Sequence, residues 1–256
     1  MKRVVVLNAM LLIMLVCLGC DVGHPTDNAI QQARPEMVAM RTTDGVKIDG
    51  RLDEEIWTRA PIYDLVIPAA PQGNDVPVER GQVQLAWDDE FFYLGVKFTD
   101  SDVVAEADED QLHHYRLGDV CEWFIKPAND NYYWELYVTP KGNKTTFFYP
   151  SRGRLGLPSS FETSVSGLKV AAHTVGTLND CTDRDEYWTA EMAMPIADLT
   201  AYGYPFSTNS EWHILVARYN FSAYLTTTGP EVSAFAELTA RRFHSYEEYA
   251  RLKLTD

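Results

Sequence analysis

The chain is poor in cysteine, in positive charge and in long apolar runs. Four of its 256 residues are cysteine, too few for a fold built on disulfides. Cys17 and Cys20 belong to the leader, which leaves Cys121 and Cys181 as a possible disulfide in an oxidising compartment, although the sequence does not supply the distance between them. Basic residues number 22 against 37 acidic, a formal charge of −15. Nucleic acid and anionic bilayers reward basic patches, so neither is an expected partner. Polyanionic sugars such as pectate are disfavoured on the same ground unless calcium mediates. Catalytic signatures are missing as well: there is no G-x-S-x-G elbow, no H-E-x-x-H helix and no C-x-x-C-H haem attachment. A catalytic carboxylate pair leaves no trace in spacing. With no catalytic motif recognised, the expectation is a protein that is not an enzyme.

The one long apolar run is Val4–Leu18, broken by Asn8 and preceded by Lys2 and Arg3. It is shorter than the ~20 residues of a membrane span and has the charged-then-apolar layout of a secretory signal. Gly19-Cys20 at its end is similar to a bacterial lipoprotein cleavage site, with Cys20 as the lipidated first residue; ordinary cleavage or an uncleaved anchor are the alternatives. The expected organisation is a signal peptide over 1–19, a lipid-attached flexible tether over 20–38 and one β-rich domain over 39–256. An exported protein follows, lipid-anchored to a bacterial membrane, periplasmic or at the cell surface, and touching the membrane through that anchor only.

Apolar alternation predicts many short strands. Gln82–Trp87 and Phe91–Thr99 form a hairpin around Asp88-Asp89-Glu90, with Phe92, Leu94, Val96 and Phe98 on the core face. Val120–Lys126, Tyr132–Thr139 and Lys144–Tyr149 continue as a meander joined by turn-rich segments, and Tyr187–Met194 and Trp212–Phe221 are further strands. The expected fold class is all-β, a β-sandwich of two antiparallel sheets with a jelly-roll or immunoglobulin-like architecture. Trp57, Trp87, Trp188 and Trp212 fall at core positions of these patterns. In Tyr132–Thr139, one face carries Tyr133, Glu135 and Tyr137. Sugars need aromatic platforms beside hydrogen-bonding groups, and this face offers both; cross-strand pairing of tyrosines is the structural alternative.

Five segments then combine: KIDGRLDEEIW (47–57), WDDEFFYLGVKFT (87–99), GDVCEWFI (118–125), WTAEMAMPIADL (188–199) and FHSYEEYARLKL (243–254). In their order and spacing the chain resembles the family 9 carbohydrate-binding modules. The resemblance implies non-catalytic binding of oligo- or polysaccharide at the cell envelope, in support of capture or degradation by other enzymes. It assigns a sugar contact to Glu122. The tryptophan that the family places six residues earlier is Arg116 here, with Tyr115 the nearest aromatic, and the second clamping tryptophan has Phe235 as its only aromatic substitute. Glu135, Tyr137, Arg218 and Asn220 occupy further positions of the family's binding surface. No cofactor is expected; structural calcium is possible through the acidic run from Asp100 to Asp110. Two other readings stay open. One is a haem-binding electron-transfer sandwich with axial ligands drawn from Met192, Met194 and His213. The other is a structural surface lipoprotein that has lost its sugar site.

Overall fold

The computed structural model describes residues 34–71 and 75–256; the expected signal segment, Cys20 and most of the tether lie outside them. Twelve strands carry the described chain: β1 (Glu36–Arg41), β2 (Tyr63–Asp64), β3 (Gly81–Trp87), β4 (Phe91–Thr99), β5 (Val120–Pro127), β6 (Tyr133–Val138), β7 (Lys144–Tyr149), β8 (Lys169–Val175), β9 (Tyr187–Pro195), β10 (Trp212–Asn220), β11 (Glu231–Phe235) and β12 (Ala250–Thr255). Three short helices interrupt them, α1 (Glu55–Arg59), α2 (Pro158–Glu162) and α3 (Ile196–Leu199). Packed structure starts before the expected boundary at residue 39. β1 opens at Glu36 and Met37 is buried in the core, because β1 is held between β3 and β12.

The ladder order is β7-β6-β5-β10-β12-β1-β3-β4-β9-β8, with β11 on β10 and β2 on β3. The molecule is therefore mostly β, as the alternation predicts. It differs from two separate antiparallel sheets in that one hydrogen-bonded path links all the strands, and β1 joins its two halves by parallel pairing to β12 and to β3. Strand β10 serves two neighbours on one side: Trp212–Ile214 pair with β12, and Val216–Asn220 pair with β11. The path bends so that its halves face each other across the core. Phe92 of β4 meets Trp123 of β5 at 4.7 Å between ring centroids, and Trp188, Met192, Met194 and Trp212 pack into the same cluster. Each large side chain so buried contributes about 1.5–3 kcal/mol.

The segment from Lys47 to Trp57 packs on the other face of β3, β4 and β9, where Ile56 and Trp57 form a separate cluster with Ala86, Tyr93 and Ala193. Glu191 of β9 accepts the Asp49 and Gly50 amides, both at 3.0 Å, and the Trp57 indole N–H at 2.9 Å. Gly50 sits at φ +83°, and a Cβ there would lie 2.4 Å from the Ala172 backbone. Only glycine fits. The possible Cys121–Cys181 bridge is not made: Cys121 is buried on the core face of β5, Cys181 is exposed in the β8–β9 loop, and both are free thiols.

Candidate functional site

Strand period decides which side chains can meet on the outer face of β5, β6, β7 and β10. Cys121, Trp123 and Ile125 of β5, and Trp134, Leu136 and Val138 of β6, enter the main core. Their neighbours Val120 and Phe124, and Tyr133 and Tyr137, therefore take the other side, joined by Phe147 and Tyr149 of β7 and Leu215 and Ala217 of β10 in a second cluster. Register then sets Glu122 opposite Tyr137 and Ala217, and Glu135 opposite Phe124 and Phe147.

Other parts of the chain cover much of this face. The chain from Leu238 to Tyr249 folds over it, Phe124 lying edge-on to Phe243 and to His244 at 6.2 and 5.7 Å. The His114–Arg116 turn and the segment around Leu155 close the remaining sides. The space left is a cavity of about 790 Å³, open to solvent, with Glu122, Glu135 and Tyr137 among the groups lining it. A side pocket of about 230 Å³ continues past His113, Phe147, Tyr149 and Phe161. There His113 stacks on Phe161, 4.7 Å between centroids and 15° between planes.

The two glutamates are buried without a basic partner. Tyr137 Oη donates to Glu135 Oε1 at 2.5 Å, whereas Glu135 Oε2 has no hydrogen-bond partner among the described residues. His244 Nε2 stands 3.9 Å from it while Nδ1 of the same ring is spent on Tyr133 Oη at 3.0 Å, and the Tyr149 hydroxyl lies close enough to Glu135 to favour its ionised form. Burial pushes Glu135 up to about 7. Glu122 is driven well above the ordinary carboxylate range by burial first and by the nearby charge of Glu135 second. Burial and the Arg152 charge hold His244 down at about 4, so it is neutral at pH 7. Near neutrality the floor therefore retains a proton, and it can both donate to and accept from a ligand hydroxyl.

Five of the residues named from sequence come together here: Tyr115, Arg116, Glu122, Glu135 and Tyr137 all line the cavity. Arg116 Nε donates to Tyr115 Oη at 3.0 Å, and Tyr115 packs beside Tyr219 at 5.8 Å. Three others lie elsewhere. Arg218 and Asn220 share the core-side face of β10 with Trp212 and Val216; Arg218 pairs with Asp100 at 2.8 Å and Asn220 Nδ2 donates to Glu79 at 2.6 Å. Phe235 pairs in register with Val216 and packs on Tyr63 at 5.2 Å. Alternation from Trp212 already assigns Arg218 and Asn220 to the core side and Tyr219 to the outer side. Phe147, Tyr149 and Tyr219 were thus findable by parity, whereas Arg152, Arg241, Arg242, Phe243 and His244 come from loops with no periodic signal.

The other candidate ligand sets do not converge. Met192 and Met194 are in the main core, and His213 lies on the opposite face of β10, against Arg34 at 3.2 Å. The acidic run disperses: Asp100 goes to Arg218, Asp102 accepts the Ala223 amide at 2.7 Å, Asp108 pairs with Lys141, and Asp110 accepts the Lys144 amide at 2.9 Å. Among the described residues no three His, Cys, Asp or Glu side chains are placed to hold one metal ion. This donor set does not fit a single calcium, which takes six or more oxygens.

Comparison with known proteins agrees with the architecture. Among the solved structures that match, three cover most of the chain. A Bacteroides uniformis protein named as a candidate carbohydrate binder matches with a TM-score of 0.58 and 14% identity, covering 87% of this chain and all of that one. A family 9 carbohydrate-binding module from Caldicellulosiruptor kristjanssonii, solved with cellotriose, gives 0.55 and 13%, covering 86% and 93%. The module from the same organism solved with glucose gives 0.53 and 13%, covering 86% and 95%. At these identities the likeness is one of fold. No curated protein matches. Residues 48–255 match the model of the family described as carbohydrate family 9 binding domain-like, and the chain belongs to that family.

Proposed function

We propose that this protein is a non-catalytic carbohydrate-binding module and that the cavity over β5, β6 and β10 is its sugar site. The observation that carries the reading is the buried Glu122–Glu135–Tyr137 group, which leaves Glu135 Oε2 unpartnered at the floor of a cavity walled by aromatic rings. An unanswered buried acceptor is costly in a fold and useful in a site, because a ligand hydroxyl completes it. Tyr115, Tyr219, Phe147 and Tyr149 supply flat faces for the C–H side of a sugar ring. The volume suits a small ligand or a chain end. The family's other structures include modules bound to cellotriose and to glucose, which supports the same ligand class.

Export and lipidation at Cys20 would hold this site at the cell envelope, where it would capture glycans for enzymes on other chains. The parity of β10 removes Arg218 and Asn220 from the proposed contact set, and Tyr219 takes their place. Substitution Glu122→Ala tests the site. Binding to a glycan array should weaken by about ten- to a hundredfold while the melting transition remains cooperative. A folded Glu122→Ala protein with unchanged binding would remove the site assignment.

A further inference from the structure

The cavity inverts the charge balance of the chain around it. The protein as a whole carries 37 acidic and 22 basic residues. The cavity lining carries four arginines, Arg116, Arg152, Arg241 and Arg242, and its only acidic members are Glu122 and Glu135. Those two glutamates lie at the buried floor, and Arg116, Arg241 and Arg242 are exposed at the rim. Arg152 is matched by a two-point pair with Glu247, at 2.6 and 2.9 Å. Arg116 leans on the Tyr115 ring, 5.1 Å from guanidinium carbon to centroid, and like Arg241 and Arg242 it has no carboxylate within salt-bridge distance among the described residues. Three cations without a counter-charge therefore face one opening on a strongly acidic protein. Burial holds the floor glutamates toward their protonated forms, so the floor does little to cancel them.

An uncompensated cationic rim around a hydroxyl-matching floor asks for a ligand with both features. Guanidinium forks match planar carboxylates and sulfates, and such pairs strengthen where the site walls exclude water. The net negative charge of the protein works against a long polyanion, which would run over its acidic surface. A short acidic oligosaccharide or a charged chain end satisfies both constraints.

We propose that the ligand of this cavity is an acidic sugar whose carboxylate or sulfate docks among Arg116, Arg241 and Arg242 while its hydroxyls reach Glu122, Glu135 and Tyr137. This rests on the sugar-site reading above and narrows it against the expectation from overall charge.

The test is a panel of matched short oligosaccharides, each acidic member beside its neutral counterpart: gluco-, galacto- and mannuronides against their methyl esters, and sulfated against unsulfated chains. EDTA is included so that no cation bridges ligand to protein. Within each binding pair the acidic member should bind at least about tenfold more tightly at low salt, and the margin should shrink as salt is raised. In Arg241→Gln/Arg242→Gln the acidic member should fall to the level of its neutral counterpart. Preference for uronides or for sulfated chains tells which anion the rim takes. Equal or tighter binding of the neutral members would overturn the acidic-ligand proposal and leave sugar binding intact. Acidic preference that survives Arg241→Gln/Arg242→Gln would overturn the docking assignment. A folded protein that binds no member of any pair would remove both readings.

Discussion

On one face of β10 and on the other, the protein buries carboxylates in opposite ways. On the core side, Asp100 and Glu79 have a donor for every oxygen: Asp100 takes Arg218 at 2.8 Å and the Asp102 amide at 3.1 Å, and Glu79 takes Asn220 at 2.6 Å and the Ser101 amide at 3.0 Å. Arg218 adds the carbonyls of Thr99 and Glu79 at 2.9 and 3.1 Å, while Arg218 Nε, Asn220 Oδ1 and one oxygen of the neighbouring Asp102 have no partner among the described residues. On the outer side neither Glu122 nor Glu135 has an arginine or lysine within salt-bridge distance; the imidazole of His244, neutral at pH 7, stands 3.9 Å from Glu135 Oε2, which has no hydrogen-bond partner among the described residues. A buried charge that the fold answers belongs to architecture, and one that it leaves unanswered is available to a ligand. Even the answered set bears the cost of burial, since Asp100 stands at about 6 despite its arginine.

The largest test of this contrast is Arg218→Ala. It strands Asp100 in the interior and should cost about 3–5 kcal/mol of unfolding free energy, read by denaturant titration. A loss below about 1 kcal/mol would mean that the core-side network is not structural. The outer pair should behave the other way. Glu122→Ala should weaken glycan binding by about ten- to a hundredfold, the cost of leaving a ligand hydroxyl unpaired in a buried site, with a far smaller effect on folding than Arg218→Ala.

The third test uses pH. Glu135 moves from an ordinary 4.5 to about 7 on folding, and Glu122 moves in the same direction. Between those values the folded protein holds protons that the unfolded chain has released. The resulting stability is fully present below pH 4.5 and is lost as pH rises through 7. Glu135→Gln removes that loss, so it should raise stability at pH 8 by about 1–3 kcal/mol and change little at pH 4. A variant less stable than wild type at both pH values would show that the ionised carboxylate is answered after all. The smallest effect is expected at the rim. Arg241→Gln/Arg242→Gln alters exposed side chains and should shift stability by less than about 0.5 kcal/mol.

Strand alternation carried most of the legible information. The alternation of Phe91–Thr99 and Tyr132–Thr139 assigned core and outer faces correctly, and the tryptophans at 57, 87, 188 and 212 are buried as the patterns predict. In β10 the same alternation, counted from Trp212, selects Tyr219 over Arg218 and Asn220 for the outer face. Two things were not legible at all. Parallel pairing of β1 with β3 and β12 is a long-range choice that no local pattern encodes. The rim arginines and His244 come from irregular loops, and only the path of the chain over β5 and β10 brings them to the same opening.

The most direct test is one glycan array probed side by side with wild-type protein and Glu122→Gln, with melting curves of both. Glu122→Gln keeps the shape of the floor and removes its acid–base character. The predicted result is a set of chemically related glycans bound by the wild type and bound measurably more weakly by Glu122→Gln, which should melt at an equal or higher temperature at pH 8. Undiminished binding by folded Glu122→Gln, or a folded wild type that binds no glycan, would contradict the claim that this buried carboxylate group is a sugar site.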